Sequence, residues 1–232
     1  MKSWRTMSIC LLTLFLTILM GCSFSQESGE ATGSSIILEF SEPETITDAG
    51  VQLSYDDVHE VKKFDNSFMV YKKTTTDSHL YLGSVRDKQL TEYGFVGEET
   101  YIQDFTKNEE SLFGRPMTLV TGICGANCVE NYLFEQVDGQ PQLILRLSGH
   151  VLVADLNEDG ENEVVMMQGS PQIEIHVYKR IGDQIMKVNL NEEIGTPNSV
   201  TYNSQTNVFE MIINNETKQY RYDTDSDSLI SL

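Results

Sequence analysis

Past residue 35 apolar and polar residues change places at every second position, as in Ile173-Glu174-Ile175-His176-Val177-Tyr178, and stretches with helical spacing are scarce. A period of two predicts β-strands that turn one face toward a core. Four longer stretches each read as a strand, a tight turn and a second strand. They are Tyr81–Leu90 with Asp87 at the turn, Leu133–Leu145 with Gly139, Val177–Val188 with Asp183, and Tyr220–Ile230 with Ser226. The turn markers are about 52, 44 and 43 residues apart, so the chain repeats itself at a spacing of one small β-unit.

One linker between alternating runs carries specific chemistry. Between Val151–Ala154 and Val164–Met167 lies Asp155-Leu156-Asn157-Glu158-Asp159-Gly160-Glu161-Asn162-Glu163. Asp155, Asn157, Asp159 and Glu163 put hard oxygen donors at positions 1, 3, 5 and 9, and Gly160 permits a sharp turn around a small cation such as calcium. An EF-hand begins the same way, but it requires a bidentate acid at position 12, where this chain has Met166, and helices on either side. A metal-free Asx/Gly surface turn is the other reading, since these residues also fill turns for backbone reasons.

Degenerate forms of the loop are expected at Asp104–Asn108, about 51 residues earlier, and at Asn203–Asn207, about 48 residues later. Both keep oxygen donors and lack the glycine, so they predict the same turn without a metal. A unit of strand, loop, strand, strand, hairpin and strand is the plan of a four-stranded propeller blade. The expected fold is therefore all-β, a small β-propeller-like array of about four blade units of roughly 45–50 residues over 36–232. A β-sandwich is the alternative.

The segment Val153–Val165 resembles the FG-GAP or VCBS repeats of integrin α-subunit propellers and of many bacterial surface proteins. The resemblance covers about 151–190, with the flanking units matching by spacing alone. It implies that Asp155, Asn157 and Asp159 ligate calcium at a blade edge.

The start of the chain predicts export. Lys2 and Arg5 precede a largely apolar run from Ile9 to Met20, shorter than the roughly 20 apolar residues of a spanning helix. Leu19-Met20-Gly21-Cys22 resembles the bacterial lipobox, which implies a signal peptide over 1–21, diacylglycerol on Cys22, and a protein anchored to the cell membrane and facing outside the cytoplasm. Residues 22–35 are small and polar and predict a flexible tether to the folded part, 36–232. Cys10 would leave with the signal peptide and Cys22 would be lipidated, so Cys124 and Cys128 are expected to form a disulfide in an oxidising compartment.

With 35 acidic against 16 basic residues the formal net charge is −19, which excludes nucleic acid and anionic headgroups as partners. No Gly-x-Ser-x-Gly elbow, His-Glu-x-x-His pair or phosphate loop occurs, and His59, His79, His150 and His176 are scattered. The adjacent acids Asp56-Asp57 and Glu109-Glu110 would point to opposite faces of a strand, so neither is a natural acid/base pair. These features together predict a non-enzymatic envelope module that binds a protein or glycan. The alternative is an extracytoplasmic hydrolase of a wall polymer or glycan, with carboxylates gathered from several blades.

Overall fold

The computed structural model describes residues 35–46, 50–195 and 197–232; the expected signal peptide, Cys22 and the tether up to residue 34 lie outside the described residues. Two-residue turns set the first level of structure. Asp87-Lys88, Phe113-Gly114, Asp138-Gly139 and Asn214-Asn215 all hold left-handed backbone at both positions, with φ between 50° and 72°. A hairpin loop of two left-handed residues matches the right-handed twist of the strands it joins.

Among the described residues eighteen strands result, grouped into four antiparallel sheets, none closed into a barrel. Sheet I contains β2 (Val51–Ser54), β3 (His59–Lys63), β4 (Phe68–Lys72), β5 (His79–Arg86) and β6 (Gln89–Glu98) in the order β2-β6-β5-β4-β3. Sheet II is the meander β7 (Thr106–Leu112), β8 (Arg115–Gly125), β9 (Cys128–Val137) and β10 (Gln140–Ser148). Sheet III is the meander β11 (His150–Ala154), β12 (Glu163–Gln168), β13 (Glu174–Ile181) and β14 (Gln184–Asn189). Sheet IV contains β15 (Ser199–Asn203), β16 (Val208–Ile213), β17 (Glu216–Asp223) and β18 (Ser228–Ser231), and β1 (Ser35–Ile37) pairs with β18 at its edge.

Each sheet thus holds one four-strand meander. The four hairpins read from the sequence are β5–β6, β9–β10, β13–β14 and β17–β18, the third and fourth strands of successive meanders. A short helix, α1 (Leu190–Ile194), follows β14 and is capped by the Asn189 side chain.

The sheets pack in series. Phe68, Leu82 and Val96 of sheet I meet Val120, Tyr132 and Phe134 of sheet II. The opposite face of sheet II, with Leu119, Leu133 and Leu147, meets Val164, Met166 and Tyr178 of sheet III. The other face of sheet III, with Val165, Val177 and Val188, meets Val200, Phe209, Met211 and Tyr220 of sheet IV. Sheets II and III are therefore covered on both faces, which is why β12 opens with four consecutive buried residues, Glu163 to Met166, instead of alternating.

The described stretches 35–46 and 50–54 form a strap over the outer strands. β1 pairs with β18 of sheet IV, Ser41 exchanges backbone hydrogen bonds of 2.8 and 2.7 Å with Lys187 in β14 of sheet III, and β2 pairs with β6 of sheet I. Leu38, 4% exposed, drives the strap into the core between sheets III and IV. The Cys124–Cys128 disulfide closes the β8–β9 turn, with the two Cα atoms 5.0 Å apart. A loop this short contributes only about 2 kcal/mol by chain-entropy arithmetic, so it is a local staple.

Leu38→Ala should lower stability by about 2–5 kcal/mol in chemical denaturation, whereas Ile37→Ala, at the neighbouring position, 69% exposed, should stay within about 0.5 kcal/mol of the parent. Equal effects of the two substitutions would contradict the packing of the strap.

Candidate metal centre

The loop from Asp155 to Asn162 joins β11 to β12, and the ladder closes beneath it with Ala154 opposite Glu163. Side-chain oxygens fold it onto its own amides. Asp155 Oδ1 accepts from the Asp159 amide at 3.1 Å and Oδ2 from the Gly160 amide at 3.0 Å, while Asp159 Oδ1 accepts from the Glu161 amide at 2.7 Å. Asn157 Oδ1 shares the Asp159 amide at 3.1 Å, and its amide nitrogen donates to Asp159 Oδ2 at 2.8 Å. Two residues hold left-handed backbone, Glu158 at φ 58° and Gly160 at φ 86°. Nothing lies within 4 Å of where a Gly160 Cβ would stand, so the glycine serves backbone conformation and not a close approach.

The loop is stitched to three sheets. The Phe113 amide of the β7–β8 turn donates to Asn162 O at 2.9 Å, and Asn162 Nδ2 donates to Ser111 O at 2.9 Å, both contacts reaching sheet II. Arg180 of β13 donates to both Glu161 oxygens at 2.8 Å within sheet III. Asn207, in the β15–β16 turn of sheet IV, donates through Nδ2 to Asp155 O at 2.9 Å. Leu156 is buried in the core between sheets III and IV, anchoring the loop from below.

The four expected ligands occupy different surroundings. Asp159 is exposed, Asp155 and Asn157 are half-buried, and Glu163 is only 5% exposed. Glu163 Oε2 accepts the Leu156 amide at 2.8 Å. Burial, followed by the charges of Asp159 and Asp155, pushes its carboxyl up to about 7, against the opposing pull of the Leu156 amide and Lys179. Among the described residues no three His, Cys, Asp or Glu side chains converge at ligating distance. Asp155, Asp159 and Glu163 share an electrostatic field while backbone amides hold their oxygens. The donor set is all oxygen, with three carboxylates and an amide, and each bonded oxygen keeps a second lone pair, so its chemistry fits a calcium ion.

The degenerate loops divide. Asn203–Asn207 falls between β15 and β16, the same place in its meander as Asp155–Glu163. Asp104–Asn108 does not, because it spans the end of a short 3-10 turn, Glu99–Asp104, and the start of β7. The equivalent turn in sheet I is 64–67 between β3 and β4, where Asp65 Oδ1 accepts the amides of Ser67 and Phe68 at 2.7 and 3.0 Å. Asp56-Asp57 lie in a 3-10 turn rather than on a strand, and Asp56 donates its amide to Ser54 Oγ. Arg180 and Asn207 carry no motif. Asn207 could have been found only through the loop's own repeat, and no signal in the sequence singles out Arg180.

No protein-family model matches the chain, and no curated protein matches it.

Because the folded Glu163 holds its proton more tightly than the ordinary value of 4.5, its carboxyl favours the folded state at low pH, and this contribution is lost as pH rises toward about 7. In chelator, the parent should lose up to about 3 kcal/mol more than Glu163→Gln across that window, read from denaturant midpoints at each pH. Parallel profiles would contradict the raised carboxyl.

Proposed function

We propose that this chain is a lipid-anchored, extracytoplasmic lipoprotein whose β-domain is a small propeller-like array of FG-GAP/VCBS type, stiffened by calcium at Asp155, Asn157, Asp159 and Glu163. The array is a non-enzymatic binding or scaffold module for an envelope protein or glycan. The observation that carries this reading is the position of the loop: it touches sheets II, III and IV and holds a buried carboxyl beside two further carboxylates. A divalent cation there neutralises the repulsion and stiffens the joint between sheets, which is a structural use of the ion.

Extracellular calcium modules bind at about 10⁻⁴ to 10⁻³ M, so external calcium suffices to load such a site. The anchor follows from the lipobox-like Leu19–Cys22 and places the module at the cell membrane, facing outward. Among the described residues no Phe or Tyr side chain is exposed, and the exposed large apolar side chains are aliphatic, Ile37 and Val51 among them. The surface is acidic and suits a basic or neutral partner. The carboxyl with the raised pKa belongs to the loop, where it faces two other loop acids, and this favours the structural reading over hydrolysis.

Calcium at ten times its dissociation constant should raise the melting midpoint of the parent by about 3–6 °C and leave Asp159→Ala unmoved. A parent that melts identically in calcium and in chelator would remove the metal. Labelled palmitate should enter the full-length protein and not Cys22→Ser, and an unlabelled parent found in the soluble fraction would remove the anchor.

A further inference from the structure

One sheet face in this structure has no packed neighbour among the described residues. Val200, Phe209, Met211, Tyr220 and Leu229 of sheet IV point into the core shared with sheet III, so the residues that alternate with them point outward. Sheets II and III are covered on both faces, and the outer face of sheet I, with Met69, Tyr71 and Leu90, is closed over by Leu53, Tyr55 and Val58. The stack therefore ends on an open face at sheet IV.

The apolar side chains of that face gather at one corner. Ser35 stands opposite Ile230 and Ile37 opposite Ser228, so Ile37 and Ile230 are diagonal neighbours on the outer side, while Ile36 and Leu229 turn inward. Leu232 continues the row beyond Ile230, its amide donating to Gln219 O at 2.9 Å. Ile37 and Leu232, 69% and 61% exposed, are the two most exposed large apolar residues among those described, and Ile230 is 39% exposed. Across the sheet from Ile230 and Leu232 the charged side chains are one of each sign, Arg221 and Glu210. Asp223 lies at the other end of the face, where it accepts from the Ser226 hydroxyl. The corner is thus close to neutral in a chain whose net charge is −19.

Where the chain enters this corner points to what covers it. Cys22 lies 13 positions before Ser35, and Ser35 pairs at the edge of sheet IV beside the exposed residues. A flexible polar chain of that length spans about 20 Å on average. A bilayer holding Cys22 is therefore kept close to Ile37, Ile230 and Leu232, and three aliphatic side chains suffice for a contact that is too weak to form without the tether. A second copy fits less well: so small a patch falls short of the roughly 800 Å2 per partner of a stable dimer, and two chains this acidic repel each other.

We propose that the outer face of sheet IV rests on the membrane surface, with Ile37, Ile230 and Leu232 set among the lipid headgroups, a placement that depends on Cys22 being the lipid anchor. Acidic surface elsewhere is repelled by anionic headgroups, and the near-neutral corner is the part that makes the approach.

Full-length lipidated protein carrying Ile230→Cys has one free thiol, because Cys124 and Cys128 are joined and Cys22 is acylated. An environment-sensitive fluorophore on that thiol, with the protein reconstituted on phosphatidylcholine vesicles that contain nitroxide-labelled lipid, reads the contact. Val137→Cys on sheet II, at a position 41% exposed, is the control. The probe at 230 should shift to the blue and lose fluorescence to the nitroxide, the probe at 137 should remain water-like, and Ile37→Asp, outside the core, should abolish the quenching at 230. Flotation with the vesicles reads the anchor separately, and a protein that does not float removes the anchor and the placement together. A floating protein whose 230 probe stays water-like, is quenched no more than the 137 probe, or is still quenched in Ile37→Asp would overturn the placement and leave the anchor standing. A blue shift at 230 that grows with protein concentration in detergent would assign the face to a second copy and overturn it as well.

Discussion

The constraint on which this structure turns is a carboxyl group buried beside two like charges, that of Glu163, only 5% exposed. Glu163 opens β12 with both faces of its sheet covered, and the turn above it adds Asp155 and Asp159 to the same field. A buried, like-charged carboxyl is tolerated only with a proton, a donor or a cation. The Leu156 amide supplies one donor, and the remaining need is one that a proton, or the calcium proposed above, would meet. The residues carrying this charge also carry the joints, through Asn162 to sheet II and through the Asp155 carbonyl to Asn207 of sheet IV. The electrostatics of one turn are thereby tied to the relative placement of three sheets.

The packing explains why those joints matter. Four meanders stacked in series have two inner sheets, each apolar on both faces, and adjoining cores that share no single centre. Cohesion between sheets then depends on side chains crossing each gap and on elements that bridge several sheets. The loop at Asp155–Glu163 is one such bridge. The strap is another, running from β18 past β14 to β6 with Leu38 as its apolar anchor.

Much of this was legible in the sequence wherever the signal was local. The hairpins were readable because left-handed turns need particular residues, as at Asp138-Gly139, and because alternation marks the flanking strands. The donor spacing from Asp155 to Glu163 was readable for the same reason, since a tight turn fixes which side chains share a surface. Signals that depend on tertiary placement were not. Asp104–Asn108 has the composition of the loop but runs into β7, the first strand of its meander, whose first turn is instead Phe113-Gly114, and only the strand order shows this. Alternation in Glu174, His176 and Tyr178 reads as a polar face turned to water, yet sheet II covers that face and buries His176 and Tyr178. The strap was invisible because β1 carries only three residues and its pairing partner is nearly two hundred residues away.

Sheets joined in this way present a continuous surface, and the scaffold proposed above would draw its stiffness from the joints between them. Hydrogen–deuterium exchange of the full-length protein in calcium and in chelator tests the central claim most directly. The account predicts that calcium slows exchange together at the loop 155–163, at the Phe113 turn of sheet II and at the Asn207 turn of sheet IV. Slowing confined to the loop, with the two partner turns unchanged, would contradict it.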